Sequence, residues 1–388
     1  MAIETRKGKD GKPQYRVRIA GCAPDGKRQN VTIGTYRTKR DAEREERDAL
    51  YKRDRGTLLD PAKTTVGQLL DSWLAVKAGD VTPQTLKGYE ITIRLYLKPA
   101  LGTVKAQALT PARLQAQYAA WTEGGMSARN LRGCHMRLSQ ALAHGVRFRI
   151  AQTNVCDVVS PPKLSKPKPD VWNTYEAMAF MQEAATDSLA PLWHLLLLEG
   201  MRRGEALGLR WSDINWQRGT AHIVQTVSPD ISSRGEPVIQ ARTKTAAGAR
   251  TVKLSSATLA ALKEHRKQWA ARKIAADMWA DHDLIVCTVR DERHRPNGGM
   301  PINPNNVTRS FDVIVKRAGV RRITPHGLRH THATMLLRQG VPAKIVSERL
   351  GHASIGITLD TYSHVLPDMQ DTAADAMDSI MAGGKIQA

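Results

Sequence analysis

A handful of side chains between positions 202 and 362 have the types and spacing needed to grip a phosphate and move protons around it. His326 and Arg329 stand three residues apart, so on a helix they share one face. Thr324-Pro325 is a helix start, which puts both in the first turn, where free N–H groups and the positive dipole end favour an anion. An arginine offers a planar, two-pronged donor that matches phosphate oxygens. A histidine donates or accepts a proton near neutral pH. Gly200-Met201-Arg202-Arg203-Gly204-Glu205 is a second arginine-rich helix junction. Lys244 lies in the turn Lys244-Thr245-Ala246-Ala247-Gly248, expected at the tip of a hairpin, where a flexible ammonium reaches a reacting atom. Gly351-His352 follows, and Tyr362 after it.

These groups need a scaffold. Asn173 or Thr174 starts a helix through Glu183. Ser188 starts another, through the apolar run Trp193 to Leu198, with Gly200 as a left-handed end. Strands are expected near 220–227, 236–243 and 249–254, then helices from Ser255, Thr324-Pro325 and Pro342. Earlier in the chain, Tyr15, Val17 and Ile19 alternate with Arg16 and Arg18, and a turn at Pro24-Asp25-Gly26 precedes Val31, Ile33 and Tyr36. This reads as a small antiparallel sheet, with Thr38 capping a charged helix over about 39–53. Thr65, Thr82-Pro83, Thr110-Pro111 and Ser127 each mark a helix start between 64 and 150. SPPKLSKPKP at 160–169 is a solvated, extended linker. The fold class expected is multidomain α+β. A three-stranded sheet plus helix spans 1–58, an all-helical domain 64–159, and a mostly helical domain with a small antiparallel sheet 170–388.

The 388 residues carry 58 Lys+Arg against 37 Asp+Glu, a net +21 that calls for a polyanionic partner. No apolar run approaches the ~18 residues of a membrane span, so nucleic acid rather than a membrane is the expected partner. MAIETRKGKDGK has no hydrophobic region of a secretory signal. The four cysteines form no C-x-x-C pair, so a reducing, cytoplasmic setting is expected. The excess is densest at 61–169, with 15 bases and 5 acids. Arg129, Arg132 and Arg137 on the helix from Ser127 are its candidate phosphate contacts, and Arg16, Arg18 and Arg28 are those of the N-terminal sheet.

Taken singly, each group has a bland reading. Arg202 is a helix-end cation paired with Glu205, Lys244 a solvated turn residue, His352 a cap and Tyr362 a packed aromatic. Their joint order is what argues otherwise. EGMRRGEALGLRWSDIN, ARTKTAAGARTVKL, TPHGLRHTHATMLLRQG and LGHASIGITLDTYSHV together resemble the tyrosine recombinase family, in layout most like phage-type integrases. The N-terminal strands resemble an arm-site DNA-binding domain, 64–150 a core-binding domain and 170–388 the catalytic domain. The resemblance implies catalytic roles for Arg202, Lys244, His326, Arg329, His352 and Tyr362, with Glu205 supporting Arg202. Glu199 and Met201 depart from the more common Thr and Leu.

The chemistry implied is site-specific strand exchange through a covalent 3′-phosphotyrosine. Tyr362 attacks, His326 takes its proton, Lys244 protonates the leaving 5′-oxygen, and Arg202, Arg329 and His352 hold the non-bridging oxygens. No cofactor and no metal are expected. The partners implied are double-stranded DNA at core and arm attachment sites and further copies of the chain as a homotetramer. An excisionase and a host DNA-bending protein are candidate further partners. His326, His330, His332, His352 and His364 invite a metal reading, but no H-E-x-x-H or cysteine ligand accompanies them. His330 and His332 are therefore expected to pack. A non-catalytic binding protein, a metal-dependent nuclease and a type IB topoisomerase are the competing readings. Met369, Ala373, Ala376, Met377 and Ile380 recur at helical spacing, which reads as a terminal helix docked on its own domain or exchanged with a neighbouring subunit.

Overall fold

The computed structural model describes residues 3–7, 13–22, 28–54, 64–164, 169–229, 237–241, 249–289, 298–362 and 369–381. The fold is α+β, in two compact units, Met1–Lys166 and Pro167–Ala388. The division falls inside the Pro/Lys stretch at 160–169.

The first unit opens with β1 (Ile3–Lys7), β2 (Pro13–Cys22) and β3 (Arg28–Tyr36), antiparallel in that order. Alternation along β2 turns Val17 and Ile19 inward against Ala42 and Ala49 of α1 (Lys39–Asp54). Thr38 Oγ1 accepts the Asp41 N–H at 3.2 Å and caps that helix. Arg16 and Arg18 fall on the opposite alternation, half-buried. The backbone of Arg28 begins β3.

The helical remainder comprises α2 (Val66–Lys77), α3 (Pro83–Thr92), a π-helical turn at Ile93–Leu97, α4 (Lys98–Leu101), α5 (Pro111–Glu123) and α6 (Ala128–Arg147). Thr65, Thr82, Thr110 and Ser127 all accept from the backbone N–H three residues on, each contributing about 1 kcal/mol. Leu131, Leu138 and Leu142 of α6 face inward and pack with Leu69, Trp73 and Leu97. Arg129 and Arg132 stay exposed. Arg137 is half-buried, its guanidinium 4.9 Å from the Tyr89 ring centroid, so it is less free than the helical spacing suggests.

The second unit begins with α7 (Thr174–Ala184), capped by Asn173 with Glu176 closing a capping box. α8 (Ala190–Leu197) starts later than Ser188, because the Asp187 carboxylate takes the Leu189 N–H at 2.8 Å. Next come α9 (Arg203–Gly208), β4 (Ile214–Asn215), β5 (Thr220–Ile223), β6 (Gln225–Ser228), β7 (Val238–Ala241) and β8 (Arg250–Lys253). The strands form two sheets, β4-β5-β8 and β6-β7. Among the described residues, no pairing joins β7 to β8. β7 pairs back on β6 and β8 pairs on β5. Lys244 itself lies outside the described residues.

Helices α10 (Ser256–Ala275), α11 (Pro304–Ala318), α12 (Pro325–Arg338), α13 (Ala343–Leu350), α14 (Ile355–Tyr362) and α15 (Met369–Met381) complete the chain. Trp172, Phe180, Trp193 and Phe311 form an aromatic centre, and Ala333, Leu337, Val346 and Leu350 close around Tyr362. Of the apolar positions expected to line the terminal helix, Met377 and Ile380 are 57% and 50% exposed, as is the neighbouring Met381 at 78%, while the side chains of Met369, Ala373 and Ala376 lie outside the described residues. Among the described residues no helix is long and apolar enough to cross a membrane.

Candidate active site

Arg329, the fifth residue of α12, is 3% exposed. Its Nη1 donates to Gly200 O and its Nη2 to Leu350 O, both at 2.8 Å. Gly200 presents that carbonyl from a left-handed turn at φ 65°, with no room for a side chain, since a Cβ would lie 2.5 Å from the His332 ring. Arg202 stands just before α9, donates from Nη2 to Gly351 O at 3.0 Å and pairs through Nη1 with Glu205 Oε1 at 2.8 Å. Arg250, at the start of β8, donates from Nε to Arg349 O and pairs through Nη2 with Glu205 Oε2, both at 2.8 Å. Three guanidinium groups thus converge on three successive carbonyls, those of residues 349, 350 and 351, at the electronegative end of α13.

Electrostatics follow from this crowding. Burial alone would raise the Glu205 carboxyl, but hydrogen bonds and charge from Arg250 and Arg202 outweigh it and hold the group down at about 2. Burial, then the charge of Arg202, lowers Arg329 to about 9, so it stays cationic at neutral pH. Burial and the neighbouring arginines also lower His326, and bring His352 down to about 4. His352 shares a 2.7 Å hydrogen bond between Nδ1 and Thr358 Oγ1, which ties the turn after α13 to α14.

Tyr362 ends α14 and is only 2% exposed. Its hydroxyl meets His330 Nδ1 at 2.7 Å. The expectation that His326 takes the tyrosine proton is not matched by this contact. His326 instead packs edge-on against His330, ring centroids 4.8 Å apart. The helical spacing of His326 and His330 puts both on one face, and the second residue reaches the hydroxyl. Burial raises Tyr362 to about 12.

A second network lies behind the first. Glu199 is fully buried and pairs with Arg349. It also accepts from Ser255 N at 3.0 Å and Ser255 Oγ at 2.9 Å, at the N-terminus of α10. Its negative charge is thereby neutralised locally rather than presented to a phosphate. His332 Nδ1 donates to Leu197 O at 3.0 Å while its Nε2 accepts from Arg349 Nε at 3.2 Å. A carbonyl only accepts and a guanidinium only donates, so this ring is neutral, with its proton on Nδ1.

The structure therefore brings Arg202, Glu205, His326, Arg329, His352 and Tyr362 into one cluster. Arg250, His330 and Arg349 were missed at the sequence level. Arg250 looks like any strand residue, and His330 stood out only as one of a metal-like histidine set. Among the described residues no three His, Cys, Asp or Glu groups converge as a metal site. In the first unit, Arg129, Arg132 and Arg137 line a cavity of about 410 Å³.

The profile described as "Phage integrase family" matches residues 173–369, and that described as "Phage integrase, N-terminal SAM-like domain" matches 65–121. A tyrosine recombinase XerC-like protein of Caldanaerobacter subterraneus subsp. tengcongensis is 28% identical, over 98% of this chain and 100% of that one. An integrase of Streptomyces ambofaciens is 26% identical, over 94% and 92%. The Tn1549 transposon integrase in complex with a circular intermediate DNA has the same fold, with TM-score 0.67 and 20% identity, covering 82% of this chain and 99% of that one. A lambda integrase tetramer bound to a Holliday junction gives TM-score 0.57 at 19% identity, covering 92% and 94%.

Proposed function

The chain belongs to the phage integrase family, the tyrosine site-specific recombinases, and on that premise we propose that Tyr362 is the nucleophile with which it breaks and rejoins DNA. The phenolic oxygen attacks the scissile phosphorus and expels the 5′-hydroxyl, leaving a 3′-phosphotyrosine that keeps the bond energy. Arg202 and Arg329 hold the non-bridging oxygens, and His326 and His352 stand beside them. Lys244 gives the 5′-oxygen its proton. Glu205 fixes Arg202. The convergence of Arg202, Arg329 and Arg250 on the carbonyl end of α13, in the cluster that holds Tyr362, is the observation that supports this reading most. The positive charge gathered there supplies transition-state stabilisation of the kind a divalent metal gives elsewhere, and no metal enters the proposed steps.

Residues 64–159 bind the core site, with Arg129, Arg132 and Arg137 against the phosphates. Residues 1–58 bind arm sites through the sheet carrying Arg16, Arg18 and Arg28. Residues 170–388 carry the chemistry. Four copies assemble on two DNA sites, and the exposed face of α15 with Met377, Ile380 and Met381 passes to a neighbouring subunit. An excisionase and a host DNA-bending protein complete the set of partners, in the bacterial cytoplasm at the nucleoid. The test is a nicked core-site DNA incubated with the protein in EDTA and run on a denaturing gel. A protein–DNA adduct that vanishes in Tyr362→Phe supports the proposal; an adduct that survives the substitution assigns the nucleophile elsewhere.

A further inference from the structure

We propose that His330, rather than His326, accepts the phenolic proton of Tyr362 during strand cleavage, an inference that rests on Tyr362 being the nucleophile. The geometry carries it. His330 Nδ1 stands 2.7 Å from the Tyr362 hydroxyl, inside the range for a direct proton transfer. Its ring is tilted 58° to the tyrosine ring with centroids 5.7 Å apart, so the two meet through their polar atoms rather than by stacking. His326 meets His330 edge-on, at an interplanar angle of 87°, and the charges of Arg329, Arg202 and Arg203 act on it. The two histidines therefore differ in what they touch: His330 meets the Tyr362 hydroxyl, and His326 meets the His330 ring.

Protonation states agree with this difference. Burial, then the charges of His326 and Arg329, lower His330 to about 4, so at neutral pH its ring is neutral and has a lone pair to offer. Tyr362 is held protonated by burial and needs an acceptor. A DNA phosphate entering beside Arg329 brings negative charge against the field that depresses His330, and so makes the imidazole a better base when substrate is present. In the step itself the tyrosine oxygen bonds to phosphorus as its proton moves to Nδ1. The phosphorus–O5′ bond breaks, and the departing oxygen takes a proton from Lys244. Rejoining reverses each transfer.

The experiment uses the full chain and two versions of a nicked core-site DNA, one with the normal 5′-oxygen at the scissile phosphate and one with 5′-sulfur. Sulfur leaves without an acid, so it relieves defects on the leaving-group side only. His330→Asn puts a side-chain oxygen where Nδ1 stands, keeping the hydrogen bond while removing the base. Its single-turnover cleavage is expected to fall at least 10²-fold on both substrates alike. The deficit should shrink as pH rises and phenolate forms unaided, while Lys244→Ala is rescued by sulfur. Wild-type cleavage rates in His330→Asn would overturn the proposal, as would rescue of that variant by sulfur. Melting temperature and DNA affinity are measured alongside. If His330→Asn lowers either, His330→Ala, which removes the base without adding bulk, is compared on the same two substrates. Absence of any adduct in the wild type would instead strike at Tyr362 as nucleophile, a separate failure.

Discussion

Arg202 and Arg250 share a single carboxylate: Glu205 takes Arg202 Nη1 on one oxygen and Arg250 Nη2 on the other, each at 2.8 Å. Neither arginine is then positioned independently. Glu205→Gln is expected to lower covalent adduct formation by about 10²-fold, the scale seen when one preorganised donor is lost. Arg250→Gln should do nearly as much, although it is proposed to touch no substrate. The double variant should be little worse than either single one, because both remove the same constraint. Single-turnover cleavage on core-site DNA measures this, and strictly multiplicative losses would refute the coupling.

Glu199 sets a stability prediction. Removing one member of a buried ion pair costs roughly 3–5 kcal/mol, since the other charge is left behind. Glu199→Ala strands Arg349 and the α10 N-terminus together, so its melting temperature should fall by several degrees or more. Glu199→Ala with Arg349→Met should recover part of that loss. A double variant no more stable than the single one would contradict the assignment.

The histidines predict the direction of acid sensitivity. His330 and His352 are lowered to about 4 and His332 to about 3, burial being the first cause in each. Between those values and the unfolded value of about 6.5, the unfolded chain binds more protons than the folded one. Stability from these groups is complete above about pH 6.5 and is lost as pH falls toward 4. Calorimetric melting at pH 7, 6 and 5 should show a steady decline, less steep in His332→Gln. A flat profile in the wild type would mean the rings are not held neutral.

Gly351 supplies a backbone prediction. It caps α13 at φ 66°, and a Cβ there would lie 2.9 Å from the Arg250 side chain. Gly351→Ala should therefore displace Arg250 and reduce cleavage more than it reduces melting temperature or DNA affinity. Equal loss in all three would show only a strained turn.

Arg129 and Arg132 are exposed on α6, and as the proposed phosphate contacts they are expected to set the salt dependence of core-site binding. Each replaced by Ala should reduce the slope of log affinity against log salt by about 0.9 if it contacts a phosphate. Titrations between low and moderate salt measure it. An unchanged slope removes that residue from the interface.

What could be read from the sequence follows the physics of each signal. The helix starts at Thr65, Thr82, Thr110, Ser127, Asn173 and Thr324 were legible because an N-cap is a local event, decided by one side chain and the N–H groups just after it. The pairing of β7 with β6 and β8 with β5 was not, since strands of four residues fit several partners equally well. β1 escaped notice because IETRK holds only one apolar residue. In the site, residues recognisable by type and order were found. The choice between His326 and His330 at the hydroxyl depends on where α12 and α14 cross, which spacing within one helix does not contain.

The carbonyl end of α13 has a consequence for how DNA and protein communicate. Arg202 and Arg329 now spend N–H groups on the oxygens of residues 351 and 350. On the proposed function a phosphate draws on these same two guanidinium groups, so filling the site and seating the end of α13 are expected to be thermodynamically linked. The link is reciprocal: whatever loosens the turn between α13 and α14 changes phosphate affinity, and phosphate changes the hold on that turn. His352 lies in that turn, and Tyr362 ends the helix that follows it. On the proposed function, the anion and α14 thus report on each other through two backbone oxygens, those of Leu350 and Gly351.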